Sequence, residues 1–227
     1  MATLNSTSFA ISAPQSDTSL RTLAELTIGF AAILVVLWLP TREQLIFGPI
    51  ALLAPLILVL RQKPTLSDLG LHWRGSVSSF WILPAAAVAA TAGILVARAA
   101  GTFHELYKPD LAHVGGYVLW TIYQQFLLQV YFMPRLLRIL PSDQVAITLA
   151  ASLFAAAHLP NLPLTAATLV WGAVSCTLFL RYRNVYILGL AQGLLGLCFA
   201  ICVPDALHHH MRVGLGYLHY HGTIPLP

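Results

Sequence analysis

Residues 116–133 read GYVLWTIYQQFLLQVYFM, eighteen residues without an Asp, Glu, Lys or Arg. A run of that length and character predicts a helix that crosses a bilayer. It also carries three amides, Gln124, Gln125 and Gln129. On a helix Gln125 and Gln129 share a face, and Gln124 sits about 100° round from them. A polar side chain at membrane depth costs free energy unless it finds a partner. The three amides therefore point into a helix bundle or a wet cavity, not into lipid.

The rest of the chain fits that setting. Of 227 residues, 58% are hydrophobic and only 9% charged, with mean hydropathy +0.76. Soluble domains carry about a quarter charged residues, so this chain lacks the polar surface to face water all round. Apolar segments fall at about 23–40, 44–61, 79–100, 115–133, 145–159, 163–181 and 185–203. The fold class is all-α, a polytopic transmembrane bundle of about seven spans, with six to eight as the range. The second segment contains Pro49 and Pro55 and the fifth is short, so either could be kinked or re-entrant. The division is a disordered tail over 1–20 without a simple signal peptide, a bundle over 21–205, and a His-rich tail over 206–227.

Lys and Arg sit singly or in pairs between the apolar runs, eight on the side of the N-terminus and four on the other. The positive-inside rule then puts the N-terminus in the cytoplasm, with a bacterial cell membrane as the expected home. No basic stripe exists, which excludes nucleic acid as a partner; the bilayer is the expected one. Cys176, Cys198 and Cys202 lie in apolar stretches and read as packing residues. Gly189 and Gly193 give a G-x-x-x-G spacing that lets helices approach closely.

Two further polar positions belong with the glutamines. Phe154 and His158, in FAAAH, are four apart on the fifth segment, and Gln192 lies in the seventh. A cluster of Gln124, Gln125, Gln129, His158 and Gln192 from three helices is expected. Periodicity alone leaves it open whether these are hydrogen-bonding glue between helices or a site. His208, His209, His210, His219 and His221 follow the last span. Imidazole is the commonest metal ligand, so His208, His210, His219 and His221 are metal candidates, although their spacing matches no zinc signature. The other reading is an interfacial segment with its histidines in water. No cofactor is expected.

The order of these motifs resembles the CPBP family, the CAAX proteases and bacteriocin-processing enzymes also called Abi, which are intramembrane endopeptidases. The family's Glu-Glu-x-x-x-Arg is here QQFLLQ (124–129), its Phe-x-x-x-His is FAAAH (154–158), and its His-x-x-x-Asn is QGLLG (192–196). TLSDLGLHWRG (65–75) resembles the segment before the family's core. The resemblance covers about 65–203 and implies catalytic positions at Gln124, Gln125, His158 and Gln192, lined by Gln129, Phe154 and Gly196. It also implies a membrane peptide or prenylated protein as partner. In the family a glutamate acts with histidine to activate water. A general base needs a titratable lone pair, and the Gln amide has none. All eight Asp and Glu fall in tails, connections or span ends. The expectation is a peptide- or lipid-binding pseudoprotease. The alternative is an active peptidase using His158 or a metal. A small transporter is a third reading, but no internal repeat supports it.

Overall fold

The computed structural model describes residues 16–71, 77–106 and 109–220. The main helices are α1 (Ser16–Leu37), α2 (Thr41–Arg61), α3 (Ile82–Ala100), α4 (Leu111–Phe126) with its short continuation α5 (Met133–Ile139), α6 (Asp143–Ala156), α7 (Leu162–Tyr182) and α8 (Val185–Cys202). The short α9 (Asp205–His208) and α10 (Leu215–Leu218) follow. Among the described residues there is no strand, only an isolated bridge between Leu71 and Asn184. Most of the expected tail, residues 1–15, lies outside the described residues, as do 72–76 of TLSDLGLHWRG.

Five helices are long and apolar enough to cross a membrane: Ser19–Leu37, Thr41–Arg61, Val77–Ala100, Leu162–Tyr182 and Val185–Cys202. Two more segments bring the number to seven. One is the composite of α4 and α5, joined by a π-helical turn over Leu127–Phe132. The other is α6, 14 residues long. The chain is an integral membrane protein. In α2 the two prolines neither kink the chain into a re-entrant hairpin nor end the helix, which runs unbroken for 21 residues. Membrane helices tolerate proline where neighbours satisfy the backbone; the Tyr123 hydroxyl donates to the Leu52 carbonyl, one turn before Pro55.

Local chemistry sets the helix starts. The side chains of Asp110, Ser142, Asn161 and Asn184 accept from the backbone N–H of His113, Val145, Leu164 and Ile187, at 3.0, 3.3, 3.2 and 3.0 Å. Each satisfies a donor that the first helical turn leaves unpaired. The π turn widens the helix just before Pro134 and buries all six of its residues.

The site is positioned by α8, which packs against both α3 and α4, and by α7, which packs against α6. Gly189 makes the closest approach possible: a Cβ there would lie 2.6 Å from Ile122 Cα. In the space thus closed, the Thr121 hydroxyl meets the Gly189 carbonyl at 2.9 Å. A second fastening holds α1. Arg135, 2% exposed, pairs with Glu25 at 2.9 Å and stacks over the Tyr131 ring at 4.0 Å, while the Tyr131 hydroxyl donates to the Glu25 carbonyl at 2.7 Å.

Candidate functional site: an amide chain beside an apolar cavity

Four glutamines from two helices form one directed chain of hydrogen bonds. Gln129 donates to Gln125 at 3.1 Å, Gln125 to Gln192 at 2.6 Å, and Gln192 to Gln124 at 2.5 Å. The widening of the helix at the π turn does not separate Gln125 from Gln129. These two are fully buried and sit behind the wall, against Ser175 of α7 at 3.5 and 3.2 Å. The side-chain oxygen of Gln129 is buried without a partner among the described residues.

Gln124 and Gln192 face a cavity of about 500 Å³. His158, Phe154 and Gly196 line the same cavity, so five of the seven expected site positions meet there. His158 does not join the amide chain. Its Nδ1 bonds to the Phe154 carbonyl at 2.7 Å, and its ring stands edge-on to that of Phe154. Apart from these groups the lining is mainly aliphatic and aromatic, with no Asp or Glu among the described residues. The wall is neutral.

Sequence reasoning missed Trp171, whose indole N–H donates to Gln192 Oε1 at 3.1 Å and which also lines the cavity. Trp171 and Ser175 are four apart on α7, and an indole N–H at membrane depth needs an acceptor; that spacing was the available signal. Tyr117 was missed as well. It folds over Gly196, where its hydroxyl occupies the space of a Cβ.

The C-terminal histidines take other parts. His208 is 1% exposed, not in water. Its Nε2 bonds to the Val203 carbonyl at 2.9 Å, and its Nδ1 accepts from the Met211 N–H at 3.0 Å. Burial pushes its pKa below the ordinary imidazole value. His210 is turned to the Tyr220 hydroxyl at 3.0 Å and to Asp205 at 3.2 Å, and burial lowers it too. The His219 N–H caps α10 by donating to the Leu215 carbonyl at 3.1 Å, while His221 lies outside the described residues. Among the described residues no three His, Cys, Asp or Glu side chains come together to hold a metal ion. Asn161 donates to the carbonyls of His208 and Arg212 at 2.9 and 3.0 Å, which lays the segment across the cavity's end, where Met211 and Val213 join the lining.

Residues 107–198 match a family model, Rce1-like, described as type II CAAX prenyl endopeptidase Rce1-like. Over that stretch the chain is similar to the type II CAAX prenyl endopeptidases. The matched stretch contains α4 to α7 and most of α8, and with them every residue of the amide chain. No curated protein and no solved structure matches the chain. The same stretch holds Phe154, His158 and the four glutamines.

Proposed function

We propose that this CPBP-like protein binds a membrane peptide or lipid-like ligand in the 500 Å³ cavity without cleaving it by the family's route. The observation that carries the reading is the neutral wall: Gln124 and Gln192 hold each other by an amide–amide bond where that route needs a carboxylate. An amide neither activates water nor takes up its proton. The isosteric exchange of Glu for Gln supports a cavity that keeps its shape with its charge removed. By the distribution of Lys and Arg, the N-terminus faces the cytoplasm of a bacterial cell.

One observation favours the alternative, a working peptidase: His158 Nε2 has no protein partner among the described residues and lies at the cavity. The test is to assay the purified protein, with and without chelator, on prenylated and unmodified membrane peptides. Saturable binding without cleavage is the expected result. Turnover that His158→Ala abolishes would overturn the proposal. The combined variant Gln124→Glu, Gln125→Glu, Gln192→His is expected to gain activity if the site is preserved but disarmed.

A further inference from the structure

The segment after α8 holds three consecutive residues in the left-handed region, His209, His210 and Met211, at φ 49°, 52° and 58°. A Cβ makes that conformation costly, and side chains that do adopt it do so singly, not in runs. Such a run persists only where its surroundings hold it. One buried side chain clasps it. Asn161 is fully buried, and its carbonyl oxygen accepts from the Leu164 N–H to cap α7, which leaves its NH₂ group for the segment. That group donates to the carbonyls of His208 at 2.9 Å and Arg212 at 3.0 Å. These residues flank the left-handed run, so a single amide grips both its ends. The Gly214 N–H adds a bond to the Leu159 carbonyl at 2.8 Å. All three bonds land on Leu159 and Asn161, directly after His158.

What the clasp keeps in place is Met211. Met211 and Tyr117 line the 500 Å³ cavity and also a second cavity of about 300 Å³. The second carries ionisable side chains, His104, Glu105, His113, Asp205, His208 and His210. Tyr117 belongs to α4 and is folded over Gly196, so Met211 is the part of the partition that the segment can withdraw. Other ties bind the segment to itself. Asp205 accepts from the His210 N–H at 2.7 Å and the Tyr220 hydroxyl at 2.9 Å, and the His209 ring stacks on Tyr217 at 4.1 Å. We propose that residues 205–220 form a lid latched by Asn161, whose release withdraws Met211 and joins the apolar cavity to the ionisable pocket. The joined space is a path from water to Gln124 and His158. Strain in the left-handed run makes the latch releasable, because its cost is returned when Asn161 lets go. The lid governs access, and is the same device for a binding cavity or a peptidase.

The experiment measures how fast a charged methanethiosulfonate reaches single cysteines in the full-length protein in detergent. The background carries Cys176→Ala, Cys198→Ala and Cys202→Ala. Leu195→Cys reports the apolar cavity, and Ala200→Cys, on the same helix, reports the ionisable pocket. With the latch intact, Ala200→Cys is expected to react fast and Leu195→Cys slowly. Asn161→Ser keeps an oxygen to cap α7 and removes both amide donors. It should speed the Leu195→Cys reaction about tenfold, the worth of two hydrogen bonds in an opening equilibrium, and leave Ala200→Cys unchanged. Hydrogen exchange over 205–214 should rise in the same variant. Met211→Ala removes the partition and leaves the latch, and should also speed Leu195→Cys. Thermal unfolding checks that Asn161→Ser folds, and the Met211→Ala measurement stands without it. A Leu195→Cys rate that Met211→Ala leaves unchanged overturns the partition. A folded Asn161→Ser protein with unchanged exchange and unchanged Leu195→Cys rate overturns the latch. Equal rates at Leu195→Cys and Ala200→Cys with Asn161 and Met211 in place overturn the lid altogether.

Discussion

Replacing Gln192 by Leu tests whether the amide chain fastens α4 to α8 and α7. Gln192 accepts from Gln125 at 2.6 Å and from Trp171 at 3.1 Å, and donates to Gln124 at 2.5 Å. Leucine has similar volume and no polar atom, so packing is nearly kept and three bonds are lost. Interhelical hydrogen bonds in membranes average about 0.6 kcal/mol, which gives roughly 2 kcal/mol for the three. The indole N–H of Trp171 is also left without its acceptor, and an unpaired buried donor costs about 1–3 kcal/mol. The expected loss is therefore about 3 kcal/mol, read by reversible unfolding in mixed detergent micelles. Leu190→Ala, on a more exposed face of the same helix, serves as control and should lose under about 1 kcal/mol. In a double-mutant cycle, Gln124→Leu should add little once Gln192 is gone. A Gln192→Leu loss no larger than that of the control would refute the view that the amides bind the helices together.

Other perturbations follow from the same geometry. Arg135→Met leaves Glu25 only its exposed partner Arg21, at 3.1 Å, and should destabilise by about 3 kcal/mol; adding Glu25→Gln should recover part of it in the same unfolding assay. Gly189→Val drives a side chain into Ile122 and should cost about 1–3 kcal/mol by overpacking, seen as a lower melting temperature in detergent. Acidification should loosen the C-terminal segment. Burial first, then other groups, set the folded pKa of His208 and of His210 below the unfolded value. Their contribution to stability is therefore present above about pH 6.5 and is lost as pH falls toward the folded values. Asp205 acts in the same sense lower down: burial raises its pKa, but the His210 N–H and Tyr220 hydroxyl outweigh that and leave it lowered. Its support is lost as pH falls through that depressed value. Hydrogen exchange, corrected for its intrinsic pH dependence, should rise over 205–214 between pH 7.5 and 5 and stay flat over 185–195.

Much of this was legible from residue types and spacing. Long charge-free runs marked the spans, because nothing but a helix satisfies its own backbone in lipid. Gln124, Gln125, Gln129 and Gln192 come together because polar groups in such helices must find one another. What was not legible depends on tertiary placement. The continuity of α2 through Pro49 and Pro55 rests on neighbouring helices, including the hydroxyl of Tyr123. The π turn has only Pro134 as a local sign. His208 looked like a residue for water because histidines in a polar tail usually are. It is buried because Asn161, far off in sequence, draws that segment onto the bundle. Trp171 was hidden differently: its segment reads as plainly apolar, and only the N–H says that an acceptor must be near.

Tyr117 lying over Gly196 gives that glycine an occupant of its own. Where the resemblance expects asparagine, any side chain would first have to displace the Tyr117 hydroxyl. A substitution at 196 is therefore in effect a change at two places, because the ring at 117 must turn aside to admit it. The shape of the cavity wall at this end is set by a neighbour's ring, not by the residue whose number the motif carries.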